Sequence, residues 1–122
     1  MNVRYVALLG VLVASGVLSF TAVPTASAGE REVVMEAQAF SPQVMTIHVG
    51  DRVTWMNHDK LEHFLTSSGP VSRSVATQVG DLEFHQRMIP GSDYSHSFKE
   101  PGVYGYFCAI HMGMWGTLVV EP

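Results

Sequence analysis

Near its C-terminal end the chain reads Cys108-Ala109-Ile110-His111-Met112-Gly113-Met114. This stretch holds the only cysteine, one of six histidines and two of seven methionines. A thiolate, an imidazole and a thioether are soft or borderline donors, and together they select copper over hard cations. The spacing Cys-x2-His-x2-Met suits one ion, because the stretch joins two β-like runs and the ends of such a turn lie close in space. A buried free cysteine with two core methionines would explain the apolar residues. It would not explain an imidazole beside an unpaired thiol.

A site built on two histidines and a cysteine, with a weaker thioether, needs a second imidazole from a distant strand end, where the fold fixes its position. His63 is the best placed. It follows the polar connection Asn57-His58-Asp59-Lys60-Leu61-Glu62 and precedes the β-like Phe64-Leu65-Thr66. His58 shares that connection and is read as solvated, though as a competitor. His48 reads as a surface residue. His85 and His96 fall on strand-like runs, and His96 shares the face of Tyr94 and Phe98, as a partly buried, hydrogen-bonded histidine would.

The elements that must position these donors are strands. Short alternating segments recur between turn residues at the intervals of an antiparallel sandwich. Glu32–Glu36, Val44–Val49, Arg52–Asn57, Phe84–Ile89, Tyr94–Phe98, Val103–Cys108 and Gly116–Val120 read as strands. Phe40-Ser41-Pro42, Gly50-Asp51, Pro90-Gly91 and Pro101-Gly102 read as turns. Ser67 to Gly80 reads as a long irregular connection, and no window combines helical periodicity with helix caps. About eight strands in so short a chain imply an all-β Greek-key sandwich or barrel. Trp55, Phe98, Val103 and Leu118 are expected between its sheets. Such a body leaves little interior for a substrate cavity, which weighs against an enzyme.

The first residues read as a leader rather than as part of this body. Arg4 supplies a positive start, no charge occurs from Tyr5 to Val23, and Ala26-Ser27-Ala28 offers a small-x-small cleavage site. Residues 1–28 are therefore expected to be a cleaved signal peptide, with an uncleaved membrane anchor as the alternative. Residues 29–122 form the single domain. Seven basic against eleven acidic residues give a formal charge of −4. With Arg4 in the leader, the domain is more acidic still and offers no basic patch for nucleic acid. Export to a periplasm would place a lone thiol in an oxidising compartment, a hazard unless something occupies it.

These residues carry a resemblance to the cupredoxins, the type 1 blue copper proteins of the plastocyanin, amicyanin and pseudoazurin kind. It covers most of Glu32 to Glu121. Its motifs are Phe40-x-Pro42, Gly50-Asp51-x-Val53-x-Trp55-x-Asn57, His63, Pro90-Gly91, Pro101-Gly102-x-Tyr104 and Tyr106-x-Cys108-x-x-His111-x-x-Met114-x-Gly116. The short ligand loop is most similar to that of amicyanin. The resemblance implies one copper ion held by His63, Cys108 and His111, with Met114 as a long axial ligand. It implies that the Asn57 side chain ties the His63 loop to the ligand loop. Met112 competes for the axial role, but Met114 has the family spacing.

Two positions depart from the pattern. Glu62 stands where Pro is frequent, and Phe64 where Asn or Thr is common. Glu62 would favour Cu(II) if it pointed inward; a solvated Glu62 is the preferred reading. Phe64 removes a polar side chain, while its backbone N–H still has reach to the Cys108 sulfur. The implied function is an exported one-electron carrier, not an enzyme, working as a monomer between redox proteins through the edge of His111 beside Met112 and Trp115. The alternative is a periplasmic protein that traffics copper.

Overall fold

The computed structural model describes residues 27–70 and 82–122. Among them are nine strands and no helix: β1 (Glu30–Glu36), β2 (Ala39–Ser41), β3 (Val44–His48), β4 (Arg52–Asn57), β5 (His63–Pro70), β6 (Phe84–Met88), β7 (Asp93–Ser97), β8 (Gly102–Cys108) and β9 (Trp115–Glu121). They form two sheets, β2-β1-β4-β7 and β3-β9-β8-β5-β6. β1 runs parallel to β4 and β3 parallel to β9; the remaining pairings are antiparallel. The chain changes sheet between β2 and β3, so the first two strand-like runs of the sequence belong to opposite layers. This is the expected sandwich.

Period-2 alternation sets which residues enter the core. Val53, Trp55 and Asn57 on β4 are buried, while Tyr104, Tyr106 and Cys108 on β8 face them from the other sheet. Trp55 is the hub: its ring meets Phe84, Phe98 and Tyr106 at centroid distances of 5.2, 6.4 and 5.4 Å. The aligned edges and faces of such rings add to the area they remove from water. Phe98 and Leu118 are buried as expected, but Val103 is not. It lies 43% exposed, because Tyr104 rather than Val103 takes the inward phase of β8.

The turn-like reading of Phe40-Ser41-Pro42 holds for Pro42, which lies in the bend before β3, and is corrected for Phe40 and Ser41. Ala39–Ser41 is a short strand paired with β1, and the reversal falls earlier, at Ala37 and Gln38. Both turn residues have positive φ, 51° and 55°, the two-residue hairpin geometry usually served by Asn-Gly. Ser67–Pro70, expected as loop, instead prolong β5 beside β6 and β8. Ser67 is buried there because its hydroxyl donates to the Gly105 carbonyl at 2.8 Å. The rest of that connection, and the expected leader up to residue 26, lie outside the described residues. No helix of the described residues is long and apolar enough to cross a membrane.

Candidate metal centre

Three strand ends of the five-stranded sheet meet at one edge of the sandwich. β5 begins at His63, β8 ends at Cys108, and β9 begins one residue after Met114. β5 and β8 are neighbours, with Leu65 opposite Cys108, so His63 projects just beyond the cysteine. The loop between β8 and β9 is closed by Cys108 N–H donating to the Met114 carbonyl at 2.9 Å. Gly113, at φ 80°, supplies the left-handed step that turns the chain back. The loop is tied sideways to β5 by Ala109 N–H donating to the Phe64 carbonyl at 2.9 Å.

The consequence is a convergence of donors. One atom each from His63, Cys108 and His111 lies within 4.8 Å of the others. His63 Nδ1 is 2.9 Å from His111 Nδ1, and Cys108 Sγ is 3.7 and 3.3 Å from those two nitrogens. His63 and Cys108 are buried and His111 is partly exposed. The two methionines separate sharply: Met114 is 3% exposed and Met112 fully exposed. Met114 therefore sits on the interior side of the loop, where the sequence spacing expects an axial donor, and Met112 on its rim. Two imidazoles, a thiolate and a thioether fit a copper ion by donor type.

The surroundings hold this set in place. Phe64 N–H points at Cys108 Sγ at 3.4 Å, the contact expected from its backbone. The Phe64 ring stacks on His85 at 5.6 Å, away from the donors. Glu62 pairs with Arg87 at 2.9 Å on the surface, and that guanidinium holds its carboxyl below the usual range against a smaller opposing effect of burial. It is the solvated Glu62 of the sequence reading.

Asn57 is buried, but its amide ties the His63 connection elsewhere than expected. It donates to the carbonyls of Leu61 (2.9 Å) and Met88 (2.8 Å) and accepts from Asp59 N–H (3.0 Å). Its bonds anchor the connection to the end of β6, and the link from β5 to the ligand loop runs through Phe64. The other histidines stand apart. His58 is exposed, His48 pairs with Glu121 at 3.7 Å, His85 meets Thr66 Oγ1, and His96 lies between Tyr94 and Glu83.

Sequence reasoning missed Asp59. Its Oδ2 lies 2.8 Å from His63 Nε2, and its carboxylate also accepts from Ala37 N–H (2.7 Å) and Gln38 N–H (2.9 Å). Burial works to raise its pKa, but the Gln38 N–H, the His63 ring and the Ala37 N–H together hold it below the ordinary carboxylate value. An acidic residue four positions before the upstream histidine was the available signal, but in an irregular connection no periodicity marks it.

Known proteins share both the sequence and this architecture. Residues 27–121 match the family of copper binding proteins described as plastocyanin/azurin. The chain is 34% identical to plastocyanin of Scenedesmus fuscus over 87 residues, covering 70% of this chain and 89% of that one. It is 32% identical to amicyanin-alpha of Methylorubrum extorquens, covering 88% and 95%. Among solved structures, a reduced amicyanin variant superposes with a TM-score of 0.63 at 30% identity, covering 76% of this chain and 83% of that one. A purple cupredoxin from Nitrosopumilus maritimus gives 0.60 at 27%, covering 75% and 99%. The chain belongs to the plastocyanin/azurin family of copper-binding proteins.

Proposed function

We propose that this protein is an exported carrier of single electrons, working in the periplasm between redox proteins, and that His63, Cys108, His111 and Met114 hold its one copper ion. The convergence of His63 Nδ1, Cys108 Sγ and His111 Nδ1 at three tethered strand ends is the observation that carries this reading. Copper, when bound, supplies a Cu(II)/Cu(I) couple. The residues around it supply rigidity: Phe64 N–H fixes the sulfur, Asn57 fixes the connection to His63, and the Cys108–Met114 bond fixes the loop. A donor set that does not move between oxidation states keeps reorganisation small. His111 is the partly exposed donor, and Ile110, Met112 and Trp115 beside it expose apolar surface. That rim suits a small, transient contact with a redox protein. The reading assigns no substrate and no catalytic residue, and treats the working form as a monomer.

Copper hand-over is the competing reading, and the fully exposed Met112 thioether is what favours it. The buried positions of His63, Cys108 and Met114 favour retention. Loading with one equivalent of Cu(II), then mixing with an apo copper acceptor, separates the two. The carrier reading expects a reversible one-electron couple and slow copper loss. Rapid, complete transfer of copper to the acceptor would replace it with trafficking. Sequencing the N-terminus of secreted or periplasmic protein tests export, with Gly29 expected as the first residue. A product retaining Met1 in the membrane fraction would establish the anchor instead.

A further inference from the structure

The β1–β2 turn and the upstream histidine share one carboxylate. Ala37 and Gln38 both hold positive φ without being glycine, at a cost of about 1–2 kcal/mol each. Their adjacent N–H groups both point at Asp59, Ala37 to Oδ1 and Gln38 to Oδ2. The same Oδ2 faces His63 Nε2, and Asp59's own N–H is held by Asn57. The His63 side chain has no exposure and that of Asp59 only 13%, so water does not replace this bond.

We propose that Asp59 is the positioning residue of the metal centre. It locks His63 as the Nε2–H tautomer with Nδ1 turned toward Cys108 and His111, and it biases bound copper toward Cu(II). A carboxylate accepts but does not donate, so the proton between Asp59 and His63 belongs to Nε2. His63 Nδ1 then presents its lone pair toward His111 Nδ1 and Cys108 Sγ. A carboxylate behind a ligating imidazole raises the basicity of the other nitrogen. Its negative charge, one ring away, stabilises the higher-charged ion more than the lower. The turn makes this arrangement rigid, because the carboxylate is oriented by two backbone donors from another strand pair.

This proposal rests on His63 as a copper ligand, and its test separates the two. In Asp59→Asn, Cu(II) affinity is expected to fall by about 10–100-fold. Cu(I) affinity should fall less, so that the reduction potential shifts upward. Equal losses for both ions would leave Asp59 a merely structural residue and overturn the proposal, as would an unchanged potential. The substitution also deprives the turn of an acceptor. It is therefore repeated with Ala37→Gly and Gln38→Gly, which keep both N–H donors and remove the strain.

The metal-free wild-type protein gives a second readout that needs neither variant folding nor copper binding. Nitrogen and proton NMR should find His63 as the Nε2–H tautomer with a slowly exchanging, hydrogen-bonded proton. An Nδ1–H tautomer would overturn the proposal. If wild-type protein bound no copper, the metal-centre assignment would fail, and the tautomer would still decide whether Asp59 orients His63.

Discussion

Two donors of the centre have a neighbour of the same type that the structure sets apart. Met112 and Met114 differ by two positions, yet one is fully exposed and the other 3% exposed. Met114→Leu is expected to raise the reduction potential, because loss of a weak donor leaves Cu(II) less satisfied than Cu(I). Met112→Leu should leave it unchanged. Voltammetry of the two variants checks this, and the reverse pattern would make Met112 the axial donor. His58 and His63 form a second such pair: His63→Ala should destroy the visible copper spectrum, and His58→Ala should not. Asp51 makes a prediction of another kind. Its carboxylate accepts from His48 N–H and Gly29 N–H, which hold its pKa below the ordinary value against burial. A depressed native pKa contributes stability that is complete above the unfolded value near 3.9 and lost as pH falls from there through the native one. Denaturation of metal-free wild type and Asp51→Asn should therefore differ at neutral pH and converge below about pH 4.

Strands and their ends decide where those side chains go, and here the sequence was legible to different depths. Arg52–Asn57 emerged with the bounds of β4, because alternation and the Gly50-Asp51 turn mark it plainly. The ligand loop was legible because its chemistry is unusual within a few residues. The hairpin at Ala37 and Gln38 was not, since neither residue advertises positive φ. Asp59 was missed for a related reason. Its role exists only once the hairpin folds over the His63 connection, a contact across more than twenty positions of chain. The burial of Tyr106 was not legible, because placing Val103 inward assigns β8 the opposite phase and turns Tyr106 outward. Its ring packs against Gly116, where an added Cβ would approach the Tyr106 Cζ to 2.3 Å. Among the described residues the hydroxyl has no partner in hydrogen-bonding geometry, although the Trp55 indole lies near enough to temper the effect of burial on the phenol. Gly116→Ala must therefore displace Tyr106 from the Trp55 cluster. Its cost should lie at or above the roughly 1–3 kcal/mol of ordinary overpacking, read as a lower denaturation midpoint of the metal-free protein.

At the scale of the whole molecule, two sheets hold an aromatic core at the middle and a soft-donor centre at one edge, with the apolar rim of Ile110, Met112 and Trp115 outside it. Met112→Lys should slow bimolecular electron exchange while leaving the potential unchanged, which stopped-flow kinetics with a small redox protein would read. The central claim is that Cys108, within this set, binds copper that cycles by one electron. Visible absorption during titration with Cu(II), followed by stoichiometric reduction, tests it most directly. One equivalent of Cu(II) should produce an intense thiolate-to-copper band that one electron bleaches reversibly and that Cys108→Ser abolishes. Colourless binding, or a band that survives Cys108→Ser, would contradict the account.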